Sequence, residues 1–402
     1  MTDRRTLVDC AFAVASLPSL AWTGYLAGLA LASRAPRVPE YPPEPRTRFD
    51  VVVPAHDEEA GIAATVESLR AVDYPARLFR VVVVADNCRD ATAERAARAG
   101  ATVLERKDET RRGKGYALAH AFERSLAAGE VDAVVVVDAD TQVSDNLLRA
   151  FDARLSDGEV AVQAEYCVAN PRASWRTRLM HIGFTLFHDV RSRARERFRL
   201  SAGLRGNGMA FARSVLREVP HDAFSIVEDV EYGIRLGLAG HRVAYAGEAK
   251  VFGEMVTSGT ASRSQRQRWE GGRMQLLRAH ARRLVSEAVA RRSPLLFDLA
   301  ADLLVPPLTY VALVTFAGAV ASALRLGLAS GAWWSFAPWC AASLGLSLYV
   351  ARGVWLARVG PRAILDLAWA PVYMVWKVVL AMKPSRARGK EWVRTARQGD
   401  KP

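Results

Sequence analysis

Cysteine and histidine are scarce in this sequence, and their scarcity argues against metal centres or cross-links built on them. The 402 residues include seven histidines without zinc-ligand spacing and four cysteines, Cys10, Cys88, Cys167 and Cys340. The cysteines show neither a paired redox spacing nor a zinc spacing, and two of them lie in long apolar segments. We therefore expect no disulfide framework and a reducing compartment.

Glycine is missing from the loop after the first predicted strand, and basic runs lack interleaved aromatic residues. The strand Asp50–Pro54 leads into the polar loop His56-Asp57-Glu58-Glu59, whereas a P-loop phosphate cradle requires glycines there. The formal net charge is +13, but the arginines and lysines crowd beside apolar segments. This placement indicates an anionic membrane surface as the partner and not nucleic acid.

Long apolar segments stand at both ends of the chain. Leu7–Ala32 exceeds the roughly 20 residues of a membrane span and the apolar region of a signal peptide, which is the competing interpretation. Residues 34–48 are rich in proline and arginine and predict an extended linker. Leu303–Leu324 and Ala332–Val350 predict a membrane hairpin, with prolines inside both spans.

Two further segments have an amphipathic character. Ile364–Met382 is either another span or an interfacial helix, and the basic residues on both of its sides favour the interfacial arrangement. Residues 272–298 predict an amphipathic helix at an anionic leaflet, because arginines edge an apolar stripe that includes Met274, Leu284 and Val285. A helix of a soluble bundle would show a similar pattern.

The middle of the chain alternates strand and helix patterns. The predicted strands are Asp50–Pro54, Arg80–Ala85, Ala101–Glu105 and Ala133–Asp138. Helical patterns between them predict a parallel sheet with helices on both faces. The fourth strand, within AVVVVDAD, is an uninterrupted apolar run, as expected of a strand that is buried on both faces.

Acidic residues follow three of these strands. They are Asp57 and Glu58 after the first strand, Asp86 and Asp90 after the second, and Asp138 and Asp140 after the fourth. Acids are common in turns, but the carboxyl ends of parallel strands meet at one edge of a sheet, where ligands bind. Two carboxylates one residue apart suit a hard divalent cation held together with substrate phosphates.

A series of motifs resembles the membrane-associated, inverting family 2 glycosyltransferases. That family includes cellulose, chitin and hyaluronan synthases and bacterial exopolysaccharide or poly-N-acetylglucosamine synthases. The motifs are VVVPAHDEE (51–59), ADNCRDAT (85–92), RGKGYAL (112–118), DAD (138–140), IVEDVEYGIRL (226–236) and QRQRW (265–269). Asp57 stands where the family usually has asparagine. The resemblance implies an α/β GT-A fold, Rossmann-like with a mostly parallel sheet, flanked by transmembrane α-helices.

The resemblance also implies roles for individual residues. Asp229 is implied as the catalytic base that takes the proton of the acceptor hydroxyl, and Asp138 and Asp140 as ligands of Mg²⁺ or Mn²⁺. Substrate binding is implied for Pro54, Asp57, Glu59, Asp86, Lys114, Asp138, Gly206, Asn207, Glu228, Gln265, Arg268 and Trp269. A turn role for Asn207 and a capping role for Glu228 and Asp229 are the alternatives.

The function that these motifs predict is transfer of a hexose or N-acetylhexosamine from a nucleotide sugar, expected to be UDP-linked. Because Q-x-x-R-W is typical of the polymerising branch, the expected acceptor is a growing β-linked polysaccharide, and export or assembly subunits would then be partners. Only three or four apolar segments are available to form an export channel for a polysaccharide. A membrane lipid is therefore the alternative acceptor. A nucleotidyltransferase would show a glycine- and arginine-rich first loop, and a non-catalytic scaffold would not need these motifs together.

The expected organisation places the catalytic domain on the cytoplasmic side of the inner membrane, in a multi-pass protein. The predicted segments are a membrane helix (1–33), a linker (34–48), the GT-A domain (49–262), the Q-x-x-R-W segment with its interface helix (263–298), a membrane region (299–382) and a basic cytoplasmic tail (383–402).

Overall fold

A computed structural model describes residues 4–255, 259–328, 331–369 and 374, with the backbone alone for 259–270 and 362–364. Within these residues eight strands form one sheet in the order β3-β2-β1-β4-β7-β6-β8-β5. The strands are β1 Phe49–Ala55, β2 Phe79–Asp86, β3 Thr102–Arg106, β4 Ala133–Val136, β5 Thr141–Val143, β6 Ala161–Val168, β7 Met209–Ala212 and β8 Ala244–Gly253. β7 and β5 run against the other six, so the prediction of a mostly parallel sheet is confirmed.

Helices cover both faces of this sheet. Their bounds are α2 Ile62–Arg70, α3 Thr92–Arg98, α4 Lys114–Ala128, α5 Leu147–Ser156, α6 Trp175–Phe184, α7 Arg191–Arg197, α8 Arg213–Glu218 and α9 Glu228–Leu238. A π-helical turn, Thr185–Val190, joins α6 to α7. Val51 and Val53 belong to one buried apolar cluster and Val52 to another, because successive strand side chains point to opposite faces. A strand buried on both faces explains the uninterrupted apolar runs.

The fourth strand ends earlier than its sequence predicts. The apolar pattern predicts a strand through Asp138, but β4 ends at Val136. The backbone N–H of Asp138 donates to the side-chain Oδ1 of Asn207, 3.1 Å away, and not to a neighbouring strand. A side chain that is distant in sequence therefore ends the strand, and hydrophobic periodicity does not report such a contact.

Helix α9 ends beside a glycine. Gly240 has φ +95°, and the N–H of His241 donates to the carbonyl of Leu236 at 2.9 Å. A left-handed residue after the last helical turn allows this closing hydrogen bond, and glycine adopts that conformation without a Cβ penalty.

The remaining helices begin and end the chain. They are α1 Arg4–Ala32, α10 Gly259–Arg291, α11 Pro294–Leu304, α12 Leu308–Leu328, α13 Trp333–Ala357 and α14 Pro361–Leu367. Among the described residues, α1, α12 and α13 are long and apolar enough to cross a membrane. The predicted start of the first C-terminal span at Leu303 is wrong, because Pro306 and Pro307 separate α11 from α12.

Helix α10 divides its apolar residues between two faces. Leu284 and Ala288 are buried in a cluster with residues of α9 and α11, whereas Met274 and Val285 are 48% and 42% exposed. The predicted stripe is therefore partly covered by protein. Residues 370–373 and 375–402, which include the end of the third predicted apolar stretch and the basic tail, lie outside the described residues.

Candidate active site

Lys114, the first residue of α4, brings together several of the predicted site residues. Its Nζ donates to Asp138 Oδ1 at 2.5 Å and to the carbonyl of Gly206 at 2.6 Å, and it lies 3.7 Å from Glu228 Oε1. Burial would lower the pKa of Lys114, but attraction to Asp138 and Glu228 outweighs it and holds that pKa above its ordinary value. Lys114 is therefore a fixed positive charge beside the ends of β1 and β4.

The predicted base lies in the first turn of α9. Burial raises the pKa of Asp229, while a hydrogen bond from the Val230 N–H and the charge of Lys114 oppose that shift. The neighbouring Glu228 is buried, which raises its pKa to about 7. A carboxylate with a raised pKa accepts protons more readily, so Asp229 has the electrostatic character that a general base needs.

Two glycines shape the loop that precedes β7, and this loop passes close to Lys114 and Asp229. Gly206 has φ +78° and Gly208 has φ +68°, both in the left-handed region that favours glycine. A Cβ at Gly206 would stand 3.4 Å from Asp229 Oδ2, and one at Gly208 would come within 2.8 Å of Val251. Gly206 therefore borders the acidic cluster, and Gly208 packs the loop against β8.

The two residues of the D-x-D pair are both accessible at the end of β4. Asp138 and Asp140 are half-buried, and Ala139 between them is buried. With Glu228 and Asp229 nearby, carboxylates outnumber the ammonium group of Lys114. Hard oxygen donors with an excess of negative charge fit Mg²⁺ or Mn²⁺, so the residues at this site suit the cation that the sequence predicts.

Hydrogen bonds join the loop that follows β1 to the loop that follows β2. Asp57 Oδ1 accepts the N–H of Arg89 at 2.7 Å, and Glu59 Oε2 accepts the N–H of Ala91 at 3.1 Å. Pro54 lies in β1 opposite Val84, beyond the residues that pair with β4. Asp57 and Glu59 thus fix the loop beside the predicted nucleotide site, and their contact with substrate stays a prediction.

A second group of possible metal ligands lies between the same two loops. Asp57, Cys88 and Asp90 each offer a ligand atom, and these atoms lie within 4.8 Å of one another. Burial raises the pKa of the Cys88 thiol to about 11. A protonated thiol is a poor ligand, so this group fits a cation less well than the D-x-D pair.

Asp86 has a partner that the motifs did not indicate. Its carboxylate is 1% exposed and accepts from Arg106 Nη1 at 2.6 Å. Burial raises the pKa of Asp86, and the bond from Arg106 opposes the rise. Arg106 also lies 6.0 Å from the ring centre of Tyr116, which stacks on Phe224 with 4.3 Å between ring centroids.

The sequence feature that could have identified Arg106 as the partner of Asp86 is its position in β3. Asp86 and Arg106 are neighbours in the register of β2 and β3, so a predicted register would have placed them side by side. The Tyr116–Phe224 stack joins parts of the chain that only the tertiary structure brings together.

The Q-x-x-R-W residues belong to α10. The structure describes the helical backbone there, while the side chains of Gln265, Arg268 and Trp269 lie outside the described part. Their common face and their contact with a diphosphate or a sugar stay predictions.

Comparisons with known proteins identify the family of this chain. Residues 45–272 match the family model described as glycosyltransferase like family 2. A beta-monoglucosyldiacylglycerol synthase from Synechocystis sp. is 30% identical over 241 residues, which are 57% of this chain and 48% of that protein. A probable glucomannan 4-beta-mannosyltransferase 1 from Arabidopsis thaliana is 24% identical over 239 residues, 57% of this chain and 43% of that protein. The chain spans about half the length of these curated relatives.

A solved structure supports the fold over a longer range. The mannosyltransferase PcManGT from Pyrobaculum calidifontis, in complex with GDP-Man and Mn²⁺, is similar with a TM-score of 0.53 at 20% identity, covering 91% of this chain and 99% of that one. The mixed eight-stranded sheet of this chain has the GT-A arrangement. The matched segment covers more than half of the chain, which therefore belongs to glycosyltransferase family 2.

Proposed function

We propose that the protein is an inverting glycosyltransferase that moves one sugar from a nucleotide sugar to a membrane lipid. The observation that carries this proposal is the cluster in which Lys114 joins Asp138 to Glu228 beside Asp229. In this cluster Asp229, which we propose as the base, would act beside a positive charge and the D-x-D pair. These are the groups needed to activate an acceptor hydroxyl and to receive a diphosphate.

In the proposed mechanism, Asp229 takes the proton of the acceptor hydroxyl while the hydroxyl oxygen attacks the anomeric carbon. The bond from that carbon to the diphosphate breaks, and attack from the opposite side inverts the anomeric configuration. Lys114 provides positive charge toward the departing diphosphate. Asp138 and Asp140 would hold a divalent cation, which neutralises charge on the diphosphate when bound. Asp57 and Asp86 are proposed to contact the nucleoside.

The donor is proposed to be a UDP-linked sugar, and the catalytic domain is proposed to face the cytoplasm. A lipid acceptor is supported by the relatives named as monoglucosyldiacylglycerol synthases. It is also supported by the three apolar helices among the described residues, which would hold the domain at the membrane surface where such an acceptor lies.

A growing polysaccharide is the second candidate acceptor. The Q-x-x-R-W sequence of residues 265–269 favours it, because that motif is typical of polymerising members of the family. One relative is named as a probable glucomannan mannosyltransferase. Export or assembly subunits would be partners in that case only.

The test uses the full chain in lipid nanodiscs with a panel of labelled nucleotide sugars and Mn²⁺. We expect release of UDP and a lipid-soluble product that carries one sugar. Asp229→Asn should lower kcat by about 10³-fold and leave donor affinity near that of the wild type. Asn146→Ala, in the loop between β5 and α5, is the matched control.

Other outcomes have clear meanings. Normal turnover by Asp229→Asn would remove Asp229 as the base, and a water-soluble product with many sugars would select the polysaccharide acceptor. If no nucleotide sugar is consumed, the proposed activity is wrong.

A further inference from the structure

Asn207 closes the loop that carries the two D-x-D carboxylates. Its side chain is fully buried. Oδ1 accepts the backbone N–H of Asp138 at 3.1 Å, and Nδ2 donates to Thr141 Oγ1 at 2.8 Å. These two partners stand on either side of Ala139 and Asp140, so one amide group holds both ends of the D-x-D loop.

The position of Asn207 is itself fixed by a second buried amide, that of Gln163 in β6. Gln163 Nε2 donates to the carbonyl of Asn207 at 2.7 Å, and Gln163 Oε1 accepts the N–H of Arg205 at 2.9 Å. Gln163 is also fully buried. A series of hydrogen bonds therefore runs from β6, through residues 205–208, to Asp138 and Thr141.

The middle of the D-x-D loop has a further anchor on α2. Thr65 Oγ1 donates to the carbonyl of Ala139 at 2.8 Å. With Asp138 and Thr141 held by Asn207, the D-x-D loop is restrained at Asp138, Ala139 and Thr141. Such restraint limits how far the two carboxylates can separate.

We propose that Asn207 and Gln163 are positioning residues that hold Asp138 and Asp140 at the spacing a divalent cation requires, and that Asn207 does not contact the sugar. The buried Asn207 side chain presents no surface to a ligand, which is why the proposed role differs from the substrate contact that the family resemblance implies. Groups that orient metal ligands through hydrogen bonds typically contribute 10–100-fold to metal affinity. The inference deepens the proposed function and rests on it for the identity of the ligand.

The experiment compares Asn207→Ala with Asn146→Ala in the full-length protein. Asn146 is a matched control, because its amide also bridges two groups, donating to Tyr41 Oη at 3.0 Å and to the Glu248 carbonyl at 3.2 Å. Affinity for Mn²⁺ is measured by electron paramagnetic resonance in the presence of UDP. Binding of UDP without metal and hydrogen–deuterium exchange across residues 137–141 are measured in parallel.

We expect Asn207→Ala to lower Mn²⁺ affinity by about tenfold, to leave metal-free UDP binding unchanged and to speed exchange across residues 137–141. Asn146→Ala should match the wild type in all three measurements. A merely destabilising effect would not separate metal binding from nucleotide binding in this way.

Unchanged Mn²⁺ affinity and unchanged exchange in a folded Asn207→Ala protein would overturn the proposal. A raised Michaelis constant for the donor or the acceptor would then point to direct contact with substrate. If Asn207→Ala does not fold, Thr141→Val decides, because it removes the acceptor of Asn207 Nδ2 together with the 3.4 Å hydrogen bond from Thr141 Oγ1 to Asp140 Oδ1. It should change exchange and Mn²⁺ affinity in the same direction by a smaller factor, and wild-type values would overturn the proposal.

Failure of the proposed function gives a different result. Exchange across residues 137–141 is measured without metal or nucleotide, so it does not depend on the reaction. Faster exchange in Asn207→Ala, in a protein that consumes no nucleotide sugar, would support the positioning role and reject the glycosyl-transfer activity.

Discussion

Lys114 offsets part of the negative charge of Asp138, Glu228 and Asp229, which would otherwise repel one another. It contacts Asp138 and Glu228 directly, and its charge also acts on Asp229. Burial raises the pKa of both Glu228 and Asp229, carboxylates held close together add to that rise, and the charge of Lys114 opposes it. The charge state of the site is therefore set by side chains from α4, α9 and the end of β4.

The first prediction concerns the pH dependence of stability at Glu228. Burial raises its pKa from 4.5 to about 7, so the folded protein keeps a proton that the unfolded chain releases above pH 4.5. This group therefore costs stability as the pH rises from about 4.5 to 7. Glu228→Gln cannot ionise and should become more stable than the wild type across that window, by on the order of 3 kcal/mol at most.

Thermal unfolding at several pH values checks this prediction. Glu123→Gln, on the exposed side of α4, is the control and should follow the wild-type curve. Parallel curves for Glu228→Gln and the wild type would show that Glu228 ionises at its ordinary pKa.

The second prediction concerns the ion pair between Asp86 and Arg106. Both side chains are largely buried, at 1% and 10% exposure, so Arg106→Met leaves a buried carboxylate without its partner. We expect a loss of about 3 kcal/mol in the free energy of unfolding. Arg98→Met removes an exposed pair with Glu94 and should have little effect. Equal melting temperatures for the two variants would contradict the assignment.

At the scale of elements, strand and helix positions follow from local patterns, and strand ends do not. The four parallel strands appear where β-branched runs predict them, because such runs report burial on both faces. The end of β4 depends on Asn207, which is 69 residues from Asp138. The Asp86–Arg106 pair depends on strand register, which hydrophobic runs do not specify when both faces are buried.

The third prediction concerns the packing of α1 against α13. A Cβ at Gly345 of α13 would lie 3.2 Å from the carbonyl oxygen of Thr23 in α1, whereas one at Gly28 meets no atom within 4 Å. Small residues allow such close approach between apolar helices. Gly345→Leu should lower the melting temperature in detergent, and Gly28→Leu should change it little. If both leucine variants melt alike, α1 and α13 do not pack through Gly345.

At the scale of the whole molecule, a buried polar cluster joins the catalytic domain to the apolar helices. Arg191 and Arg195 of α7 share Asp302 of α11, at 2.7 and 2.8 Å. Arg191 Nε also donates to Tyr349 Oη of α13 at 2.9 Å, and Arg195 Nη2 to Tyr25 Oη of α1 at 2.8 Å. The position of the domain on these helices is therefore fixed by directional bonds as well as by apolar packing.

The fourth prediction tests this junction through Asp302→Leu. The substitution leaves two buried guanidinium groups without a shared carboxylate, and we expect a loss of about 3–5 kcal/mol. Glu287→Leu, which removes a half-exposed pair with Arg291, is the matched control and should have little effect. Similar unfolding transitions for the two variants would show that the cluster does not hold the domain in place.

The sequence by itself determined the alternation of strands and helices, the apolar helices near both ends, the acids at the carboxyl ends of the strands and the family. These features depend on residue type and short spacing, which are local properties of the chain. The tertiary structure alone decided that Lys114 joins Asp138 to Glu228, that Asn207 closes the D-x-D loop and that Arg106 holds Asp86. Each of these contacts links residues at least 20 positions apart, and the hydrogen bonds that a polar side chain makes depend on which groups the fold brings within reach.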